Sequence, residues 1–208
     1  VEKGKIKGRY TIFGKNPDKI WEFNNNNSYL IKNKKKIKLN DRPDQLIEKI
    51  IEDFKFETPK KLPKICSLIS GYFSYDSIRY IEKIPNKCKN DLNLPDVRLL
   101  RPRTLVIYDN LKKEIFYIIN IFSDEKIKDY AKKYEEIKIE LSRILIQSSL
   151  KISNYLPKKN IKDIKVKSNT SKNKFIKMVN KAKDYIKLGD IFQVVLSQRF
   201  EAKLTKKP

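Results

Sequence analysis

Hydrophobic positions in the first part of the chain recur in short runs. Residues 9–13 (RYTIF) and 19–23 (KIWEF) are aromatic and β-branched, and residues 28–32 form a third such run. Side chains of these types fit a pleated, half-buried surface, so each run predicts a short strand. Gly14 with Asn16-Pro17-Asp18, and then four asparagines at 24–27, supply turn chemistry between the runs. An antiparallel meander is predicted. The period then changes. Leu46, Ile47, Ile50, Ile51 and Phe54 fall at i, i+1, i+4, i+5 and i+8, one helical stripe expected to face a core. Asp41 is the expected N-cap, with Pro43 in the first turn. Thr58-Pro59 and Leu62-Pro63 end the element.

Residues 65–73 (ICSLISGYF) read as a buried strand, in which Gly71 signals a bulge or a close backbone approach. Residues 74–82 have helical spacing, and 85–93 form a polar loop. Residues 103–108, an Asp109-Asn110 turn and residues 114–122 predict a hairpin. A helix is expected from Asp124 to about Leu150. Ser171 is placed to cap another helix, with Phe175, Met178, Val179, Ala182, Tyr185 and Ile186 on one face and Gly189 closing it. Residues 191–200 predict a strand. The pattern yields a mixed α/β unit to about residue 150, a connector, and the opening helix and strand of a second unit. A helix and a strand alone cannot bury both their faces. The chain begins Val1-Glu2 without Met and stops at Pro208, so a piece of a longer protein is expected.

Composition changes the picture mainly by exclusion. The chain has 208 residues and no histidine. A Ser-His-Asp triad, a Cys-His dyad and a His-ligated metal are therefore excluded within these residues. Cys66 and Cys88 form no CxxC motif and are read as reduced thiols of a cytosolic protein. No apolar run approaches the ~18 residues of a membrane helix, and no signal-peptide pattern is present. The net charge is +23, but 40 of the 48 basic residues are Lys, alongside 29 Ile and 17 Asn against 3 Ala and 5 Gly. That profile fits AT-rich codon drift on a solvated surface better than a nucleic-acid footprint, which leans on Arg.

Few residues carry chemistry on their own. Five scattered glycines cannot build a phosphate-binding loop. Asp76 and Arg79 lie at i, i+3 and suit a structural pair. Arg98, Arg101 and Arg103 concentrate three of eight arginines in six residues; a solvated edge is the expectation, with an anion contact or interface as the alternative. The segment 189–200, GDIFQVVLSQRF, places Gln193 inside an apolar run. A buried amide there needs partners, either in the core or facing a polar cavity.

That segment closely resembles the start of the chorismate-binding domain in the large subunit (component I) of anthranilate synthases. Three further stretches fit the same family in order: GRYTIFG at 8–14, GYFSYDSIRYIEKIP at 71–85 and DLNLPDVRLLRPRTLVIYDNLKK at 91–113. The resemblance implies an α+β fold with antiparallel β-sheets packed in a sandwich flanked by helices, incomplete here. It implies residues 1–150 as an N-terminal domain missing its first residues, 151–170 as a basic linker and 171–208 as the start of the catalytic domain. The implied activity is amination of chorismate with ammonia and elimination of pyruvate, giving anthranilate for tryptophan synthesis. It brings Mg2+ as cofactor, a glutamine amidotransferase subunit (component II) as partner, and tryptophan as inhibitor.

Residue by residue, Gln193 matches the position where related isochorismate and salicylate synthases carry a water-activating lysine. An amide does not titrate near neutrality and cannot serve as that base, which suits an ammonia-using enzyme. Gln193 is therefore the candidate catalytic residue. The family's Leu-Leu-Glu-Ser tryptophan motif would fall just before Val1, which leaves Arg9 as the candidate effector contact. The magnesium-binding glutamates and catalytic histidine are expected beyond Pro208, so the chain alone is expected to be inactive. The alternatives are aminodeoxychorismate synthase component I, of folate synthesis, and a basic nucleic-acid-binding domain.

Overall fold

The computed structural model of the chain describes residues 8–87, 90–149 and 165–203. Cys88 and most of the predicted basic linker, residues 151–164, lie outside the described residues. The chain divides into two units, Val1–Leu150 and Lys151–Pro208.

The first unit is built on one six-stranded antiparallel sheet whose spine is β5 (Val97–Asp109). β1 (Tyr10–Asn24) pairs along one whole edge of it. The other edge is shared by β4 (Ser70–Phe73), which pairs with residues 97–100, and β6 (Glu114–Ile119), which pairs with residues 104–109. β2 (Asn27–Lys32) and β3 (Lys35–Leu39) extend the sheet beyond β1. The expected meander is thus β1–β2–β3, and the lysine-rich strand β3 was not foreseen.

The expected turn at residues 14–18 is not a turn. β1 runs straight through it, with a register shift between Pro17 and Lys19. Pro17 lies opposite Pro102, and neither has an N–H to donate. On its other edge Pro102 falls in the gap between the β4 and β6 ladders, so a proline in a central strand breaks no ladder bond. The extra residue, Asp18, is a β-bulge. It changes the phase of β1. Ile12 pairs with Ile107 before the bulge and Trp21 with Leu99 after it, so the inward positions switch from even to odd. The two predicted strands are one strand with a phase slip.

Two apolar clusters result. Trp21, Phe23, Val97 and Leu99 pack with Leu46 and Ile50 of α1 (Pro43–Asp53). Leu105, Ile107 and Ile118 pack with Cys66, with Leu62, Ile65 and Leu68 around it. Each fully buried side chain of this size contributes about 1.5–3 kcal/mol. Residues 65–69, predicted as strand, are instead irregular, with Ile65, Cys66 and Leu68 at the second cluster and Ile69 against the first; only Ser70–Phe73 pairs. Gly71 is the close approach that its sequence context signals: a Cβ there would sit 1.9 Å from the Arg98 carbonyl oxygen. Residues 75–80 wind as a 3-10 helix (Tyr75–Tyr80).

Helix ends also depart from expectation. The residue before α1 is Arg42, and Pro43 takes the first position; Asp41 does not cap. α2 (Tyr130–Ser149) begins six residues later than predicted, because Asp129 caps it through the Lys132 N–H at 3.0 Å and Asp124 is held elsewhere. Within the described residues of the second unit, β7 (Val166–Ser168) pairs with β8 (Phe200–Ala202), with α3 (Lys172–Leu188) between them in sequence. The Ser171 hydroxyl accepts from the Lys174 N–H, and Gly189 ends α3 in the left-handed region at φ 80°, both as predicted.

Replacing Gly71 with Ala is expected to destabilise the first unit by at least about 2 kcal/mol, because the new methyl group meets backbone that cannot swing away. Urea denaturation of the variant measures this.

Candidate functional site

Gln193 leaves the end of α3 on an irregular stretch, not on the predicted strand; only Phe200–Ala202 pairs. Its side chain is exposed, as are Phe192 and Val195 beside it. The Ser197–Arg199 end of the segment is anchored. Gln198 Oε1 accepts from the Ser168 hydroxyl at 3.1 Å, and the Arg199 and Asn169 backbones are joined by Asn169 N–H donating to the Arg199 carbonyl at 3.0 Å. The Asn169 side chain accepts from the Arg199 N–H at 2.9 Å. The loop from β7 to β8 is therefore closed at its base, and Gln193 projects from its far arm. α3 buries no residue, and Tyr185, Ile186 and Leu188 are exposed.

Arg9 stands at the opposite end of the sequence and in the other unit. Its guanidinium grips the buried Asp109 carboxylate, with Nη2 donating to Oδ2 at 2.7 Å and Nε to both oxygens at 3.1 Å. Asp109 also accepts the backbone N–H groups of Leu111 and Lys112, which shapes the β5–β6 turn. The Arg9 guanidinium, seconded by these N–H groups, holds the Asp109 carboxyl at about 2 against the opposing effect of burial. Arg9 also lies over the Tyr10 ring at 4.9 Å. Its fork is already occupied, and it closes the β1–β5 ladder at its outer end.

The three arginines of β5 form neither a solvated edge nor an open anion site. Arg101 is buried and bonds Asp18 and Asp124 together, the latter at 2.9 Å. Lys19 adds a second cation to Asp124. Burial works against the charge of Asp124, but hydrogen bonds from Lys19 and Arg101 hold its carboxyl at about 2. Arg103 pairs with Glu125 at 2.9 Å, and Arg98 with Glu22 at 3.5 Å. Asp76 and Arg79 pair as the spacing predicts, at 2.9 Å. Sequence reasoning missed Asp18, Asp124 and Asp109; the signal for Asp18 was a carboxylate beside a proline where the strand phase slips. Burial pushes the Cys66 thiol up.

Among the described residues no group of three His, Cys, Asp or Glu side chains is placed to hold a metal, and the carboxylates of the first unit named above are already paired to arginine or lysine. No helix among the described residues is long and apolar enough to cross a membrane.

Comparison with known proteins decides the family. The family model described as chorismate binding enzyme matches residues 8–208. The chain belongs to the chorismate-binding enzymes. The anthranilate synthase component 1 of Acetivibrio thermocellus is 34% identical over the whole chain, which covers 43% of that relative. That of Cereibacter sphaeroides is 30% identical over 96% of the chain, covering 41% of the relative. The crystal structure of anthranilate synthase component I from Streptococcus pneumoniae TIGR4 superposes with a TM-score of 0.75 at 25% identity, covering all of this chain and 45% of that one. The mixed fold with antiparallel sheets is thus that of its family, and the chain spans less than half the length of the curated relatives it matches.

The Arg9–Asp109 pair makes a pH prediction. The folded carboxyl lies near 2, below the ordinary unfolded value of about 3.9. Its contribution to stability is complete above that value and disappears as pH falls through about 2. Asp109→Asn should therefore be less stable than the parent near neutrality, with the gap narrowing between about pH 4 and 2. Parallel urea titrations across that range test it; a gap independent of pH would reject the assignment.

Proposed function

We propose that this chain is part of an anthranilate synthase component I, which takes chorismate and ammonia to anthranilate and pyruvate. Ammonia adds to the ring and the ring hydroxyl departs as water; loss of the enolpyruvyl side chain as pyruvate, with a ring proton, then restores aromaticity. The observation that carries this reading is the chain-long similarity to proteins named anthranilate synthase component 1. The Gln at position 193, where a water-activating lysine would turn the family toward hydroxyl chemistry, supports it. In this proposal Gln193 lies at the active site once the remainder of the catalytic domain surrounds it. Arg9 belongs to the region where tryptophan exerts inhibition, and its pairing with Asp109 makes a contribution through backbone placement more natural than a direct contact. Mg2+ and the acid-base residues belong to sequence outside this chain. A glutamine amidotransferase subunit supplies ammonia, and the enzyme works in the cytoplasm as a lyase of tryptophan synthesis.

The nucleic-acid alternative has little support, since the β5 arginines are engaged by carboxylates. The folate relative, aminodeoxychorismate synthase, is decided by product. Joining the chain to the part of the Acetivibrio thermocellus relative that it does not cover should give a protein forming anthranilate from chorismate, Mg2+ and ammonia, while the 208-residue chain alone forms none. Aminodeoxychorismate without anthranilate would assign the folate reaction instead. In the joined protein, Gln193→Lys should lower ammonia-dependent anthranilate formation by at least about 100-fold and yield a water-addition product. Unchanged anthranilate formation would remove Gln193 from the site.

A further inference from the structure

The apolar stripe of α1 is wider than the sheet it covers. Leu46 and Ile50 are buried, but Ile47 is only half-buried and Ile51, one turn on, is 62% exposed. Beside them, Phe73 at the end of β4 and the 3-10 helix present another unpaired apolar surface: Tyr75 is 87% exposed and Ile81, just after that helix, 82%. Between the two surfaces runs a groove of about 310 Å³, walled by Ile47, Phe73, Tyr75, Ile78 and Ile81 and edged by Asp44 and Glu48. Exposed apolar side chains gathered around a concave surface mark an interaction site.

The charge around this groove is opposite to that of the chain. The charged residues that edge it are Asp44 and Glu48, in a protein of net charge +23. Arg42 is turned onto Asp44 at 3.0 Å. Glu48 has no ion-pair partner among the described residues. A general preference of this protein for acidic molecules would therefore not extend to this face. Its complement is an apolar anchor flanked by cations.

We infer that the groove between α1 and the 3-10 helix docks a partner protein segment carrying an apolar side chain flanked by lysine or arginine. The apolar anchor fills the space between Ile47 and Ile81, and a basic neighbour lies against Glu48 at the edge. A second copy presenting this same face fits the charge less well, because that face carries the same acidic border. The docking is independent of the chorismate chemistry proposed above.

Two labelled peptides with the same Leu/Phe centre, one flanked by Lys and Arg and the other by Asp and Glu, discriminate the idea by fluorescence anisotropy on the intact chain at physiological salt. The basic peptide is expected to bind about tenfold more tightly than its acidic twin, although the chain is strongly positive. Ile81→Lys and Glu48→Lys should each weaken it by about tenfold, and Ile146→Lys on α2 should leave it unchanged. All three positions are exposed, so circular dichroism melts should match the parent. Equal or tighter binding of the acidic peptide, no binding of either, or indifference to Ile81→Lys would overturn the inference. Self-association of the chain, lost in Ile81→Lys by sedimentation equilibrium, would do so as well, by giving the groove to a second copy.

Discussion

A single buried cation holds the register of the sheet. Arg101 sits in the middle of β5, between the two apolar clusters, and binds the bulged Asp18 of β1 and Asp124 beyond β6 at once. Its guanidinium also stacks 3.7 Å from the Phe122 ring. Desolvating such a charge is unfavourable by several kcal/mol, and only a full set of charge-assisted hydrogen bonds offsets that. Here the offset coincides with the point of least backbone support, where Pro17 faces Pro102. A side-chain network replaces the ladder that two prolines cannot make.

The consequence reaches both clusters. A one-residue slip in pairing sends every side chain of a strand to the opposite face. The bulge at Asp18 is such a slip, fixed at one place, and it is what allows Tyr10 and Ile12 on one side of it, and Trp21 and Phe23 on the other, to face the same way. Were Asp18 free to rejoin the strand, Trp21 and Phe23 would turn away from α1. The ion network is therefore a register device more than a source of net stability, in keeping with the way buried charges are best understood.

Local signals were legible in the sequence, and non-local ones were not. The Ser171 cap and the Gly189 stop bracket α3 because each acts within one turn of its own residue. The Asp109-Asn110 hairpin and the close approach at Gly71 belong to the same kind. The phase slip in β1 was visible, but two runs of alternating residues separated by Asn-Pro-Asp look the same whether the chain turns or bulges; the partner strand decides. The start of α2 is displaced from Asp124 because Asp124 is claimed by Arg101 and Lys19 and Asp129 takes the cap, while α1 begins after Arg42 with no side-chain cap at all. Residues 65–69 have the composition of a strand, but the ladder position next to residues 104–109 is already taken by β6. Gln193 depends most on absent context. An amide in an apolar run has meaning only from what closes around it, and here Tyr185, Ile186, Phe192 and Val195 around it are exposed.

The same distinction reinterprets the composition. Asparagine and lysine excess fits drift without structural content, yet Asn25, Asn33 and Asn93 hold left-handed positions in turns and loops that glycine would ordinarily take, Asn16 does so inside β1 beside the bulge, and Lys34 and Lys113 do so at two hairpin turns. Asparagine tolerates that region at small strain, whereas lysine has no such compensation. A glycine-poor chain has built its turns from what it has. Arginine shows the reverse economy. Seven of the eight arginines are paired to carboxylates, at Asp109, Asp44, Asp76, Glu22, Asp18, Glu125 and Glu201. A planar fork matches a carboxylate with a geometry that an ammonium group cannot reproduce. Arginine thus stands where a fork grips a carboxylate. The positive charge of this chain lies largely in its lysines, and its arginine forks are directed onto its own acids.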